Sequence, residues 1–251
     1  MQQSSLVSQQ FGNQAQAYLR SAVHAQGAEL QRMTDLARAS AALHALDLGC
    51  GAGHVSFALA AGGATVTAYD VSPKMLEVVG QEAQRRACRL SLRQGQAERL
   101  PFADASFDLV ASRFSAHHWE DVPAALAEVR RVLKPGGQCI LVDVIAPPQP
   151  LFDTVLQTVE ILRDPSHVRD YSASQWREMA LQAGLACGEF MQWKLTMVFD
   201  VWIARMNTSL QRADAIRDVF DQAAQEVRSY FNVQPDYSWD MDVMWLAMTA
   251  P

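Results

Sequence analysis

The sequence predicts an α/β fold: a mainly parallel sheet with helices on both faces, spread over 251 residues. Three observations carry that prediction. Short apolar runs alternate with amphipathic helical patterns, the order expected of a parallel sheet and its crossovers. The first of those runs stops abruptly in a glycine cluster, Gly49-Cys50-Gly51-Ala52-Gly53. The composition, 49% hydrophobic and 19% charged, is enough to bury a large core and rules out a disordered chain.

The elements follow in order. Residues 13–38 set Leu19, Val23, Leu30, Met33 and Leu36 among polar neighbours, the spacing of one or two amphipathic helices. Residues 43–48 read as a buried strand, 55–61 as a helix, and 65–69 as a second strand ending at Asp70. Ser72-Pro73 starts a helix, with proline at its first position, that runs to about Ala87. A weaker third strand covers 89–93 and a fourth covers 107–112. Val122, Ala125, Leu126, Val129 and Leu133 trace one helix face, and Lys134-Pro135-Gly136-Gly137 reads as the turn that ends it. Residues 139–145 make a fifth strand. Beyond the prolines at 147, 148 and 150 the expected elements are helices at 151–163 and 173–183 and strands at 186–198 and 241–249. Between those strands Ile216, Val219, Phe220, Ala223, Val227 and Phe231 trace a helical stripe, hence a helical insertion at the sheet edge that covers a ligand pocket. The expected organisation is one domain, with a helical cap at 1–40, a core at 41–146 and an acceptor-side region at 147–251.

Several function classes are disfavoured. The chain has 21 basic and 27 acidic residues, a net charge of −6, and three lysines, which argues against an extended phosphate-binding surface. No nucleic acid is therefore expected as a partner. No apolar run reaches the ~18 residues of a membrane-spanning helix. The opening MQQSSLVSQQ lacks the positive region and apolar stretch of a signal peptide, so a cytoplasmic location is expected. Cys50, Cys88, Cys139 and Cys187 form no C-x-x-C pair, and neither a metal site nor a disulfide framework is expected.

The glycine cluster follows a predicted strand and opens a predicted helix. Glycines there permit positive φ and let a ligand approach bare backbone, in the crevice at the strand ends where open α/β sheets bind ligands. The spacing is G-x-G-x-G rather than the G-x-G-x-x-G of dinucleotide folds, and Asp47 stands two positions ahead of Gly49. An acid at the entrance suits a cationic ligand better than a diphosphate. No G-K-[ST] follows, which excludes a nucleotide phosphate loop. Asp70, at the end of the second strand, can accept hydrogen bonds from both hydroxyls of a ribose. Its alternative role is capping the next helix, although Ser72 sits closer to that job.

The set LDLGCGAG, AYDVSPKML, GQAERLPFADASFDLV and EVRRVLKPGG, in that order, resembles the class I S-adenosylmethionine-dependent methyltransferases. More narrowly it is similar to the branch that includes the ubiquinone/menaquinone C-methyltransferases. The likeness runs from about residue 40 to 145. It implies a Rossmann-like, seven-stranded sheet, S-adenosyl-L-methionine as cofactor with S-adenosyl-L-homocysteine as product, and a small-molecule methyl acceptor. Carried over by position, the backbone of Gly49 and Gly51 would meet the methionine moiety and Asp47 would favour its ammonium group. Asp70 would take the ribose, Val71 and Met75 would pack on the adenine, and Ala97 would offer its amide to the ring with Gln96 beside the exocyclic amine. Gln96 departs from the Asp or Asn usual there, though its amide oxygen can accept the same bond. Arg113 would line the cofactor edge. Phe11 to Tyr18 resembles the family's F-x-x-x-A-x-x-Y opening, with Tyr18 over the cofactor carboxylate and His24 farther along.

The acceptor side would be built from the N-terminal helix, the segment after the fourth strand and the late insertion. The resemblance makes His118 a brace for the turn and sets His117 nearer the acceptor, as general base or hydrogen-bond partner. Ser166 to Tyr171, Trp202, Arg205, Tyr230 and Tyr237 offer an aromatic-rich lining, without a catalytic assignment. A nicotinamide oxidoreductase is disfavoured by the missing G-x-G-x-x-G and Y-x-x-x-K. A nucleic-acid methyltransferase would carry an N-P-P-Y-like tetrapeptide where Ser112-Arg113-Phe114-Ser115 stands. A cofactor-binding domain that interacts without catalysing remains a different class of reading.

Overall fold

The computed structural model describes residues 2–12, 14–20, 27–40 and 43–251. Helices α1 (Gln3–Gly12), α2 (Ala15–Arg20) and α3 (Ala28–Ala39) precede the sheet. The first half of the core is β1 (His44–Leu48), α4 (His54–Ala61), β2 (Thr65–Asp70), α5 (Pro73–Arg85) and β3 (Leu90–Gln94). The second half is β4 (Phe107–Arg113), a short 3-10 turn (Ala116–His118), α6 (Val122–Val132) and β5 (Leu133–Val144). The remainder is α7 (Pro150–Arg163), α8 (Ala173–Gln182), β6 (Ala186–Met197), α9 (Phe199–Arg205), α10 (Leu210–Gln222), α11 (Gln225–Tyr230) and β7 (Trp239–Thr249).

The seven strands form one sheet in the order β3-β2-β1-β4-β5-β7-β6, with β7 antiparallel to both neighbours and the other pairings parallel. This is the Rossmann-like, mainly parallel architecture anticipated. Strand alternation divides the core between two faces. Leu46, Val110, Leu126, Leu141 and Trp176 pack on one face under α6 and α8, and Met33, Ala45, Leu59, Val66 and Val142 on the other under α3 and α4. A third cluster joins α7 to the insertion through Leu156, Val159, Phe199, Trp202, Ile216 and Phe220.

Three elements differ from expectation. Helix α1 lies in a stretch whose sequence gave no helical stripe; of its residues only Gly12 is buried, so little periodicity was there to read. The Lys134–Gly137 turn falls inside β5 rather than between helix and strand. Leu133 already pairs with Phe107, the register shifts, and pairing resumes at Gln138 with Leu109. Hydrogen bonds from Gly136 N to Ala250 O and from Ala250 N to Gly137 O clamp that turn. The late apolar stripe is split between α10 and α11 because Ala223 and Ala224 adopt extended backbone. His24 and Val23 lie outside the described residues.

Candidate active site

The carboxyl ends of β1, β2 and β4 open into a hollow of about 1010 Å³, open solvent at its mouth included. The glycine loop forms its floor. Gly49 N and Cys50 N both donate to Tyr69 O, at 2.9 and 3.0 Å, which folds the loop over the end of β2. Gly49 and Gly51 take φ of +72° and +49°, the left-handed region. A Cβ on Gly49 would stand 1.9 Å from Ser115 Oγ, whereas one on Gly51 would meet nothing within 4 Å. The Gly51 backbone therefore faces open space.

Two buried carboxylates stand beside the loop. Asp70 accepts from Gly51 N through Oδ2 and from Ser72 N through Oδ1, both at 2.8 Å. Burial raises its pKa against those hydrogen bonds. The capping role falls to Ser72, whose Oγ accepts from Met75 N at 3.4 Å. Asp47 accepts from Ser56 N at 2.8 Å and Ser56 Oγ at 2.6 Å, both at Oδ2. Burial pushes Asp47 up to about 7, with the Ser56 bonds opposing it.

All ten residues expected around the cofactor border this hollow: Tyr18, Asp47, Gly49, Gly51, Asp70, Val71, Met75, Gln96, Ala97 and Arg113. Gln96 is exposed and its carbonyl accepts from Tyr69 Oη at 3.0 Å, while Ala97 is buried. The Arg113 guanidinium pairs with Glu29 Oε1 at 2.7 Å and stacks over Phe114, so its side chain ties β4 to α3. Helix α1 lies across the hollow, contributing Gln3, Ser4, Val7 and Phe11. His54 was not anticipated; its Nε2 meets Tyr18 O at 3.1 Å and joins the start of α4 to α2. Burial lowers its pKa, so the ring is neutral.

A second hollow, about 480 Å³, adjoins the first and shares Phe11, Tyr18, Phe114 and His118 with it. His117 borders this second hollow and not the first. Its other walls are Val144, Leu195, Met197, Trp202 and Met241, with Glu160, Arg163 and Arg205 as the charged members. Of the residues expected to line the acceptor side, Trp202 and Arg205 border this hollow, while Ser166 to Tyr171, Tyr230 and Tyr237 line neither hollow.

The two histidines have separate surroundings. His117 Nδ1 lies 2.6 Å from Asp143 Oδ1, and Asp143 Oδ2 accepts from Ala116 N at 2.8 Å. Burial opposes a charged ring here, but the Asp143 charge and hydrogen bond outweigh it and lift His117 to about 9. His118 donates through Nδ1 to Ser166 O at 3.0 Å, packs edge-on against Phe11, and sits 4.2 Å from the His117 ring. Burial, then the neighbouring His117 charge, pull it down to about 4. His118 thus ties the turn to the loop at Ser166, and it walls both hollows.

Sequence reasoning passed over Asp143, Glu160 and Arg163. Each carried a faint signal: a carboxylate inside the most apolar strand run, and an acid and a base continuing the buried face that Leu156 and Val159 begin. Tyr18 Oη contacts Met206 Sδ at 2.9 Å, which fastens α2 to the insertion. No described helix is long and apolar enough to cross a membrane.

Residues 46–141 match the family model described as a methyltransferase domain. The chain is 47% identical to the uncharacterised protein YafE of Escherichia coli over 76% of its own length and 93% of that protein. It is 37% identical to the uncharacterised methyltransferase YcgJ of Bacillus subtilis over 88% of both chains. The crystal structure of YcgJ superposes with a TM-score of 0.84 at 34% identity, covering 88% of this chain and 97% of that one. A candidate methyltransferase of Bacillus halodurans superposes at 0.85 with 30% identity, covering 90% and 100%. With the sheet order, the glycine loop and these likenesses together, the chain belongs to the class I S-adenosylmethionine-dependent methyltransferases.

Proposed function

We propose that this enzyme transfers a methyl group from S-adenosylmethionine to an oxygen, nitrogen or carbon nucleophile of a small molecule seated in the second hollow. The observation that supports it is the pairing of two hollows through a common wall. One has a bare glycine floor with carboxylates beside it, and the other joins an apolar wall to His117, Glu160, Arg163 and Arg205.

The residues present fit the cofactor. Open space at Gly51 is what a close backbone approach requires, and Asp70 retains lone pairs for two ribose hydroxyls after bonding Gly51 and Ser72. Both Ser56 bonds fall on one Asp47 oxygen, leaving the other to favour the ammonium group, and that positive charge would keep Asp47 ionised. Val71 and Met75 would pack on the adenine, with Gln96 and Ala97 at its polar edge. Tyr18 and Arg113 would close the methionine end. When bound, the cofactor supplies an electrophilic methyl carbon on a positively charged sulphur.

The protein's share of the work is alignment and exclusion of water, and alignment is worth ~7–11 kcal/mol at its favourable limit. Helix α1, α2 and the insertion cover the hollows, and His117 meets the acceptor. Calorimetry with S-adenosylhomocysteine, followed by incubation of metabolite extracts with methyl-labelled cofactor and mass spectrometry, tests the reading. One labelled small molecule is expected, with His117→Ala slowing its formation while cofactor affinity stays nearly intact. No heat with either nucleoside refutes the reading, and binding without any labelled product points to the non-catalytic alternative.

A further inference from the structure

Glu160 lies on the buried face of α7, 4% exposed, and borders the second hollow. Its Oε1 has no hydrogen-bond partner among the described residues, and its Oε2 stands 3.8 Å from Arg163 Nη1. A buried carboxylate oxygen without a donor is costly and rare, which marks it as a place where a ligand brings the donor.

The neighbouring groups do not supply an equivalent. His117 holds Asp143 through Nδ1 and stays protonated to about 9, so near neutrality it is a hydrogen-bond donor. His118, at about 4, is too weak a base to compete. On its own helix end Glu160 faces Arg163 and Asp164; from other elements it faces His117, Arg205 on α9 and Asp170, with Tyr18 on another wall of the same hollow. Asp143 is committed to His117, and Asp164 Oδ1 to Ser166 N and Oγ at 2.8 and 2.7 Å; Asp164 Oδ2 and Asp170 Oδ2 are also buried without a hydrogen-bond partner among the described residues, but neither residue borders the second hollow. Burial pushes Asp170 well above the ordinary carboxylate range. That leaves Arg163, Arg205 and the His117 ring to favour negative charge developing on a bound molecule.

We propose that Glu160 takes the proton of the methyl acceptor, and that the acceptor is a weak O–H acid, a phenol or an enol, on an apolar body. The inference rests on the methyltransferase reading of the two hollows. In the step, the acceptor O–H bond breaks, its proton passes to the Glu160 carboxylate, and its electron pair stays on oxygen to form the new O–C bond to the methyl carbon, whose bond to sulphur breaks with that electron pair left on sulphur. Glu160 returns the proton to water as the methylated product leaves. His117 donates to the same oxygen. Phe11, Phe114 and Trp202 give the apolar body its walls.

The test uses 4-nitrophenol, whose colour reports its ionisation, titrated into the intact enzyme saturated with S-adenosylhomocysteine, from mildly acidic pH to one unit above the phenol's own pKa. The wild type should bind the neutral phenol, so affinity falls as the phenol ionises. In Glu160→Gln the dependence should reverse, with affinity rising at least fivefold as the phenolate appears. 4-Nitroanisole, which has no proton to give, should bind the wild type at least tenfold more weakly than 4-nitrophenol. Equal pH profiles in wild type and variant, equal affinity for phenol and ether, or no phenol binding by the wild type would each overturn the proposal. If Glu160→Gln does not fold, the wild-type profile and the ether comparison decide alone. Retained heat of S-adenosylhomocysteine binding shows that a failure belongs to this inference and not to the cofactor site.

Discussion

Asp143 and His117 meet at 2.6 Å across the ends of β5 and β4, and the same carboxylate accepts the Ala116 amide that begins the turn carrying the ring. One buried acid therefore fixes both the position of His117 and its charge. The Asp143 side chain is 1% exposed and that of His117 11%, so water screens the pair little.

This pair makes stability depend on pH. The folded-state pKa of His117, about 9, lies above the ordinary histidine value, so the contribution is full at pH below about 6.5 and is lost as pH rises through 9. Histidine NMR should show one ring titrating near 9 in the wild type and that ring shifted down, toward or below the ordinary histidine value, in Asp143→Asn, where burial is no longer outweighed. The melting temperature of the wild type should fall between pH 7 and 10 by more than that of the variant. A ring already neutral at pH 7.5 would contradict the assignment.

Asp70 holds the glycine loop and offers its remaining lone pairs to the hollow. Asp70→Ala should weaken S-adenosylhomocysteine binding by roughly 1–3 kcal/mol, the range for a hydrogen bond to a charged group. Calorimetry showing unchanged affinity would remove Asp70 from the site.

The two loop glycines should respond differently to alanine. At Gly49 the new Cβ collides with Ser115 Oγ and the backbone is left-handed, so folding stability should drop by more than the ~1–2 kcal/mol of conformational strain alone. At Gly51 the Cβ enters open space, so Gly51→Ala should lose about that strain energy, stay folded, and bind cofactor poorly. Denaturant melts and calorimetry on both variants separate the two effects; full cofactor affinity in Gly51→Ala would mean the loop does not touch the ligand.

Glu29 neutralises a buried guanidinium. The side chains of Arg113 and Glu29 are 4% and 11% exposed, and removing one partner of such a pair typically costs roughly 3–5 kcal/mol. Glu29→Ala should therefore lower the denaturation midpoint strongly, and Glu29→Ala combined with Arg113→Met should recover part of the loss. A double variant as unstable as the single one would show that the charge is not the reason.

The sheet and the residues that border the first hollow were legible in the linear chain because their determinants are local. Apolar runs as short as residues 44–48 must be strands when glycines that permit positive φ follow them, and a proline after Ser72 leaves one way to begin α5. The same locality explains why Asp47, Gly49, Gly51 and Asp70 could be named in advance: each stands at a strand end, where the fold class itself puts the crevice. Helix α1 was not legible, since it seats its apolar side on a hollow rather than on a core.

The second hollow was decided by tertiary structure alone. Its walls come from α1, α2, the turn after β4, the end of β5, α7, β6, α9 and β7, separated along the chain and brought together by the reversal of β7 and the insertion ahead of it. Sequence spacing could not tell that Glu160 and Arg163 would be buried beside His117 and not solvated on a surface helix. Charge state follows from burial and partners, and those exist only once distant segments pack.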